Sequence, residues 1–225
     1  MAHSSSTLRH AIAFNAREQC SVSTCSKHRS GISQWCSYHK GKNHRYGHPL
    51  GHHLSPTKDY ATELHQIKAL VCQHSGHPGI RSALQWIAEW LLNAAEGKDV
   101  PGKGDMRRLH QHGVSPTQVL AEAAALFLHS QRFPQRLPDD ERLTGAIAHN
   151  VLSLAPRDYR SVYLGGKLKS RYKPLSAPSQ RAVGNHIRSV LSVLFAGMVS
   201  ELDRQWQLQQ DFRGSLRQPF TPHHD

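Results

Sequence analysis

Apolar residues recur at helical spacing from about residue 58 almost to the end of the chain. Within residues 79–97, for example, Ile80, Ile87 and Leu91 fall on one face of a helix. The same pattern predicts helices over residues 58–74, 79–97, 106–112, 116–131, 139–154 and 179–211. Stretches rich in Gly and Pro separate several of these segments, as expected for loops. The sequence therefore predicts a mainly α protein whose body is a bundle of helices.

Residues 106–131 also have the outline of a helix-turn-helix motif. A short helix is followed by a turn at Gly113 and by a second helix that Ser115 and Pro116 are well suited to start. A recognition helix needs polar side chains on its exposed face. The second helix reads VLAEAAALFLH, which is typical of a buried helix, and we predict that it belongs to the core.

The segment from residue 157 to 181 differs from the helical patterns around it. Basic residues alternate with three tyrosines around Gly165-Gly166, a dipeptide that suits a tight turn, so a short β-hairpin near residues 160–170 is compatible with the sequence. Basic side chains pair with phosphates and tyrosines stack on or donate to nucleic acids; an ordinary solvated loop fits the composition equally well. The candidate nucleic-acid contacts in this segment are Lys167, Lys169, Arg171, Lys173 and Arg181.

The segment from Cys20 to Pro49 is polar and holds three of the four cysteines of the chain. Its ligand-type residues are spaced Cys20-x4-Cys25-x10-Cys36-x2-His39. Structural Zn²⁺ sites take four Cys or His ligands in a tetrahedron, usually as two close pairs that a turn brings together. Because so polar a segment buries little apolar surface, metal binding would have to supply its folding free energy. We therefore predict a Zn²⁺ site.

Two alternatives to this ligand set remain open. His28 and His44 lie near enough to replace His39, so the cysteines are better determined than the histidine. Chance clustering of the cysteines or a disulfide between two of them is the other interpretation. Three further residues suit a metal module, a glycine for the chain reversal and two aromatic residues that could cover the ion: Gly31, Trp35 and Tyr38.

These patterns divide the chain into five parts. The first is a flexible lead with at most one helical turn near residues 8–14, and the second is the zinc-binding module. The predicted bounds are 1–19 for the lead, 20–49 for the module, 50–57 for a linker, 58–213 for the helical domain with its basic segment 157–181, and 214–225 for a tail.

Charge is unevenly distributed along the chain. With 28 Lys and Arg against 16 Asp and Glu the net charge is +12. Residues 1–60 and residues 151–225 each carry a net +6, whereas residues 61–150 are neutral. Segregated positive charge of this density is the electrostatic signature of a nucleic-acid-binding protein. The candidate contacts in the N-terminal part are Lys40, Lys42 and Arg45.

The sequence favours a cytoplasmic protein that does not bind membranes. No stretch approaches 18 consecutive apolar residues, and no basic helix has an aromatic face of the kind that lies in a membrane interface. Clustered cysteines that bind metal as thiolates suit a reducing compartment.

The cysteine-rich segment resembles a small zinc module found in many bacteriophage proteins, often beside an HNH nuclease domain. The residues that carry the resemblance are the four ligand-type residues, the basic residues that follow them and a closing Gly-x-Pro: Cys20, Cys25, Cys36, His39, Lys40, Lys42, Arg45 and Gly47-His48-Pro49. The resemblance covers residues 20–49 only. It implies a DNA-contacting zinc finger in a protein of phage or mobile-element type, located in the cytoplasm of a bacterial host.

The HNH nuclease domain that often accompanies such modules has no clear counterpart in the sequence. Such a site needs a His general base, an Asn that positions it and a further His that binds the metal ion. His149-Asn150 and Asn185-His186 supply these residue types, but both pairs fall within apolar helical patterns. The downstream Cys- and His-containing Asn-Pro signature of the phage enzymes is absent. We therefore assign no catalytic residue, and the sequence favours a protein that is not an enzyme.

The leading hypothesis is an accessory or regulatory DNA-binding protein that contains zinc. A metal-dependent nuclease related to the HNH-linked proteins is the first alternative. The second is an adaptor that binds a host or phage protein through its helical domain. In the leading hypothesis too, the helices over residues 79–97 and 179–211 could provide a protein-partner or homodimer surface.

Overall fold

A computed structural model of the chain describes residues 3–157, 159–164, 167–172 and 175–216, with side chains for residues 7–157 and 175–208. The prediction of a mainly helical protein is confirmed. The helices within the described residues are α1 (His3–Asn15), α2 (Ser37–Tyr46), α3 (Ala61–Gln73), α4 (Pro78–Ala95), α5 (Lys103–Gln111), α6 (Pro116–Arg132), α7 (Asp140–Leu152) and α8 (Ala177–Leu216). Two strands, β1 (Tyr159–Leu164) and β2 (Lys167–Tyr172), lie between α7 and α8.

Helix α6 lies at the centre of the bundle and packs against α3, α4, α7 and α8. Ser115 and Gln118 form a reciprocal capping box at its start, which satisfies two backbone N–H groups that the first turn leaves free. From Val119 to Ser130 nearly every side chain is buried. A helix that is buried on all sides cannot enter a DNA groove, so α5 and α6 are not a helix-turn-helix motif of the DNA-reading kind.

Arg108 closes the far end of α7. Its guanidinium group donates 2.8 Å hydrogen bonds to the carbonyl oxygens of Leu152, Ala155 and Pro156. The last carbonyl groups of a helix have no partner within that helix, and a buried charge is tolerated only when it is well hydrogen-bonded. The carbonyl groups gain a donor and the buried guanidinium group gains acceptors. The chain therefore leaves α7 in a fixed position just before β1.

The N-terminal part is more ordered than the sequence predicts. Where we expected a flexible lead over residues 1–19, the chain forms the 13-residue helix α1. The Asn15 side-chain amide ties the end of this helix to the metal module, since it donates to the carbonyl oxygens of Gly31 and Ser33 at 2.7 and 2.8 Å. The predicted linker is also packed, because Leu54 is buried in the main core.

Strands β1 and β2 form an antiparallel hairpin where the sequence allowed one, near residues 160–170. Helix α8 follows it and spans 40 residues, five beyond the predicted helix at its C-terminal end and two at its N-terminal end. Among the described residues, one stretch, Ala177–Leu208, is long and apolar enough by length and composition to cross a membrane. Core helices of folded domains meet the same criterion, and α8 packs against α6 and α7.

Two glycines of α8 provide a matched test of this packing. A Cβ atom on Gly184 would lie 2.4 Å from the carbonyl oxygen of Thr144 in α7, whereas one on Gly197 would meet nothing within 4 Å. We expect Gly184→Ala to lower the free energy of unfolding by about 1–3 kcal/mol because the two helices must separate. Gly197→Ala should raise it by roughly 0.5–1 kcal/mol through helix propensity. Urea unfolding followed by circular dichroism measures both, and equal effects would contradict this packing.

Candidate metal centre and the basic surface beside it

A short chain reversal holds the first two candidate ligands. Residues Gln19 and His28 form an isolated antiparallel bridge, and between them the N–H of Cys20 donates to the carbonyl oxygen of Lys27 at 2.9 Å. The N–H of Cys25 donates to the carbonyl oxygen of Val22, also at 2.9 Å. These backbone bonds form a tight loop that brings both cysteines to one side.

The start of α2 provides the second pair. Cys36 is the N-cap residue, and His39 follows three residues later, so both lie on the same side of the first turn. Gly31 lies between the two pairs with a φ of 63°, a left-handed conformation that glycine adopts without strain. The chain therefore reverses where the sequence predicts.

The four ligand atoms lie within 4.8 Å of one another. The sulfur atoms of Cys25 and Cys36 are 3.8 Å apart, and Nδ1 of His39 is 3.3 Å from the sulfur of Cys20 and 3.4 Å from that of Cys36. A tetrahedral ion bonded at about 2.3 Å to sulfur and 2.0 Å to nitrogen separates two sulfurs by about 3.8 Å, and a sulfur from a nitrogen by about 3.5 Å. The cluster could therefore hold a metal ion.

The geometry of the cluster decides between the alternatives that the sequence left open, namely a disulfide and a different histidine ligand. All three cysteines are free, whereas the sulfur atoms of a disulfide lie about 2.05 Å apart. Among the described residues the group includes His39 and neither His28 nor His44.

Backbone N–H groups favour the thiolate forms that bind metal. At Cys36 the N–H of His39 is the largest cause that lowers the pKa of the thiol, against the effect of burial. At Cys20 burial raises the pKa of the thiol. The N–H groups of Cys36 and Val22 and the His39 ring together lower it by more, so the pKa is lowered overall. At Cys25 the N–H of Lys27 favours the thiolate, yet burial and the neighbouring sulfurs raise the pKa overall. Three thiols this close cannot all ionise without a cation between them.

A small apolar cluster covers the ligands. Val22 is buried beside Cys20 and Cys36, and Trp35 and Leu50 pack against them. Trp35 thus lies where the sequence predicts. Tyr38 differs, because it is about half exposed and its ring lies 5.1 Å from Nζ of Lys42. The covering residues that the sequence did not reveal are Val22 and Leu50, which directly follows the closing Gly-x-Pro.

The C-terminal end of α2 packs directly onto α7. Gly47 ends the helix in the left-handed conformation, with a φ of 73°. A Cβ atom on Gly145 of α7 would lie 2.4 Å from the carbonyl oxygen of Tyr46. Any side chain larger than that of glycine at position 145 would therefore collide with the α2 backbone. This close contact packs the metal module against the helical body.

Two side chains of the helical body cap the last turn of α2. Nδ1 of His149 in α7 donates to the carbonyl oxygen of Arg45 at 2.9 Å, and the amide of Gln180 in α8 donates to that of His44 at 3.1 Å. Both residues are buried. They satisfy carbonyl groups that have no partner within α2. We name this pair of hydrogen bonds the α2 joint.

The pKa of His149 lies far below its ordinary value, at about 4. Burial is the main cause because it disfavours the charged ring, and the positive charge of Arg157 adds to it. His149 is therefore neutral near pH 7, with the proton on Nδ1 that the α2 joint requires.

The basic residues predicted on α2 lie at the surface. Lys40 and Arg45 are exposed, and Lys42 is half-buried against Tyr38. Arg181 of α8 is exposed as well, and it lines a cleft of about 280 Å³ together with Asn43 of α2. One cation of the C-terminal basic segment therefore lies beside α2.

The α2 joint also holds the hairpin segment. The amide of Gln180 donates a second, longer hydrogen bond of 3.4 Å to the carbonyl oxygen of Leu175, which follows the hairpin. Arg157, which precedes the hairpin, acts electrostatically on His149. The residue before the hairpin and the residue after it are therefore each coupled to one member of the α2 joint. Lys167, Lys169 and Arg171 lie on β2, and Lys173 lies outside the described residues.

The sequence did not reveal the α2 joint, although a signal was present. His149 and Gln180 are polar residues that occupy core-facing positions of otherwise apolar helical patterns. A polar side chain at such a position requires a buried partner, but the pattern does not say which one.

Three of the four residues that could have formed a nuclease site pack or hydrogen-bond within the helical body, whereas Asn185 is exposed and lines the cleft beside α2. His149 caps α2, and the side-chain amide of its neighbour Asn150 donates to the carbonyl oxygen of Ala146 within α7. His186 packs against the rings of both Trp86 and Trp90, whose centres lie 5.0 and 4.9 Å from its own. The two histidines have different neighbours, and neither faces the metal cluster.

The chain matches no protein-family model, no curated protein and no solved structure.

The metal centre is tested by removing its ligands one at a time. We expect the purified protein to contain one metal ion per chain, and Cys36→Ser or His39→Ala to lose most of it because the tetrahedron is no longer complete. Cys72→Ser is the matched control, since Cys72 is exposed on α3 and lies outside the cluster. Inductively coupled plasma mass spectrometry measures the metal content. Metal-free protein in which α2 stays protected from hydrogen exchange would contradict this assignment.

The α2 joint predicts a pH-dependent stability. Because folding lowers the pKa of His149, the unfolded chain binds the proton more tightly, and protonation favours unfolding. We expect this residue to destabilise the protein by up to about 3 kcal/mol as the pH falls from about 6.5 to about 4. His149→Asn keeps a donor for Arg45 but does not titrate.

The comparison is made by urea unfolding of both proteins at pH 7 and at pH 4.5. Four other histidines whose pKa values are lowered by burial contribute equally to both proteins: His48, His52, His129 and His186. The wild type should therefore lose more stability than the variant. The same pH dependence in the two proteins would show that His149 is not buried in the neutral form.

Proposed function

We propose that the protein is a zinc-containing nucleic-acid-binding protein that acts on DNA in an accessory or regulatory role. The observation that carries the proposal is the α2 joint, because in a chain of net charge +12 it holds the last turn of basic α2 against the start of α8, where Arg181 lines a cleft together with Asn43 of α2. The residues that the α2 joint connects are more than 100 positions apart in the sequence. Convergence of this kind is what a single anionic ligand would require.

Zinc is the metal that suits the ligand set best. Three thiolates and one imidazole in a tetrahedron are typical of structural zinc sites, whereas Mg²⁺ and Ca²⁺ prefer oxygen ligands. Four protein ligands leave no open position for water or substrate. The role we propose for the ion is therefore to hold α2 and its basic residues in place.

The charges on α2 are arranged for phosphate contacts rather than for internal ion pairs. Lys40 and Arg45 are exposed, and within the described residues no carboxylate forms an ion pair with either of them. Arg142 and Arg188 differ, since they pair with Asp139 and Asp140 at the start of α7. The unpaired cations are the ones that could neutralise phosphates and release counterions.

A reducing compartment suits three free thiols in a metal cluster. We therefore place the protein in the cytoplasm. The resemblance of residues 20–49 to zinc modules of bacteriophage proteins supports a phage or mobile-element setting, with the cytoplasm of a bacterial host as the location.

The salt dependence of DNA binding tests the proposal. We expect the double variant Lys40→Gln/Arg45→Gln to bind duplex DNA more weakly and to reduce the slope of log K against log [salt] by about 2, because each lost phosphate contact reduces it by about 0.9. The matched control is Lys68→Gln/Arg81→Gln, which removes the same charges from exposed positions on α3 and α4. Fluorescence anisotropy between 50 and 300 mM salt measures the slopes.

Equal slopes for the two double variants would contradict a role for α2. Binding that is insensitive to salt would overturn the proposal as a whole. A protein complex that forms without nucleic acid and survives high salt would instead favour the second candidate function.

That second candidate is an adaptor or homodimer surface on α8. Helices α3, α4 and α8 form an apolar groove of about 760 Å³. On its rim Val193 is 84% exposed and Val190 43% exposed. Apolar surface of this kind marks protein contacts. Two of its helices, α4 and α8, correspond to the segments that we predicted as partner surfaces, and the groove is compatible with DNA binding by α2.

A further inference from the structure

The register of the hairpin places its cationic residues on one face and its tyrosines and serines on the other. Directly opposed pairs alternate along the ladder, and alternate positions of a strand belong to opposite faces. One face receives four cationic positions among six, from the pairs Arg160–Arg171, Val162–Lys169 and Leu164–Lys167. The other face has no charged position, since its pairs are Tyr159–Tyr172, Ser161–Ser170 and Tyr163–Leu168. The sequence alone showed basic residues and tyrosines interleaved; the register separates them.

The cationic face has no counter-charge of its own. Like charges at directly opposed positions destabilise a strand pair, and the ladder places Arg160 opposite Arg171. Neither strand contains Asp or Glu. A two-stranded hairpin is only marginally stable by itself, so this distribution of charge is costly in the free protein. An anionic ligand on that face would remove the cost.

The residues that flank the hairpin lie beside the start of α8. Arg157, which precedes the hairpin, and Leu175, which follows it, line the same cavity of about 520 Å³. The amide of Gln180 joins Leu175 to the last turn of α2. Each six-residue strand is about 20 Å long, so the hairpin is long enough to contact a ligand that is also bound along α2.

The separation of the two residue types favours duplex over single-stranded nucleic acid. Proteins that bind single strands combine aromatic stacking and basic residues in one groove, whereas here the tyrosine and cationic positions belong to opposite faces. The major groove of B-DNA, about 12 Å wide, accepts a two-stranded ribbon. The deep, narrow major groove of A-form RNA does not.

We propose that the hairpin is a β-ribbon that binds in the major groove of duplex DNA through the face that carries Arg160, Lys167, Lys169 and Arg171. This inference rests on the nucleic-acid-binding function proposed above. It specifies the ligand as B-form duplex DNA and assigns the ribbon a role distinct from that of α2, which contacts the phosphate backbone.

The test moves three charges from one face to the other at constant net charge. The triple variant Lys167→Gln/Lys169→Gln/Arg171→Gln should reduce the salt slope for duplex DNA by about 2.7, at about 0.9 for each lost contact. A second protein adds Ser161→Lys, Leu168→Lys and Ser170→Lys to this variant and so restores the charge on the opposite face. We expect its slope to remain as low as that of the triple variant.

The same proteins are measured on single-stranded DNA and on duplex RNA of the same sequence. We expect the triple variant to lose more affinity for duplex DNA than for either of the other two. Helical circular dichroism and metal content equal to those of the wild type show that each variant has folded.

Three results would overturn the ribbon. The first is an unchanged slope in the triple variant, the second is a slope that returns when the charge is restored on the opposite face, and the third is an equal loss on all three nucleic acids. If the double variant Lys40→Gln/Arg45→Gln still reduces the slope in these cases, the proposed nucleic-acid binding by α2 stands and only the proposed role of the ribbon is wrong. If the wild type binds none of the three nucleic acids, the proposed function itself is wrong.

Discussion

Two buried side chains hold the last turn of α2, and the position of the metal module on the helical body depends on them. Neutral His149 and the amide of Gln180 donate to carbonyl groups that α2 cannot satisfy internally. The same amide reaches Leu175, where the hairpin segment rejoins the body. Without these bonds the described contacts between the metal module and the body would be apolar packing and the 3.6 Å contact of the His48 ring with the Glu141 carboxylate. Its basic residues would then have no fixed position relative to the hairpin.

The metal centre and the α2 joint stabilise opposite ends of one short helix. Helix α2 has only ten residues, and isolated helices of that length are marginal in water. Cys36 and His39 are tied to the metal cluster at its first turn, while His149 and Gln180 cap its last. Loss of either end should therefore weaken the other. In the proposed function, an ion with no open coordination position would in this way affect how the protein binds DNA.

Local patterns in the sequence account for much of this architecture. Apolar periodicity located the helices from α3 to α8, because each must bury one face against the others. Ligand spacing located the metal cluster, because a tetrahedral site needs two close pairs. The α2 joint could not be predicted, since it pairs Arg45 with His149 and His44 with Gln180 across more than 100 residues. The faces of the hairpin also required the register, which depends on where the turn lies.

The central claim is that α2 and the hairpin contact one DNA duplex at the same time. Lysine footprinting tests it most directly: the protein is acetylated with and without a 20-base-pair duplex, and each lysine is quantified by mass spectrometry. We expect the duplex to protect Lys40, Lys42, Lys167 and Lys169 together, and to leave Lys68 on α3 as reactive as before. Protection of only one of the two groups, or of Lys68 as strongly as the others, would contradict it.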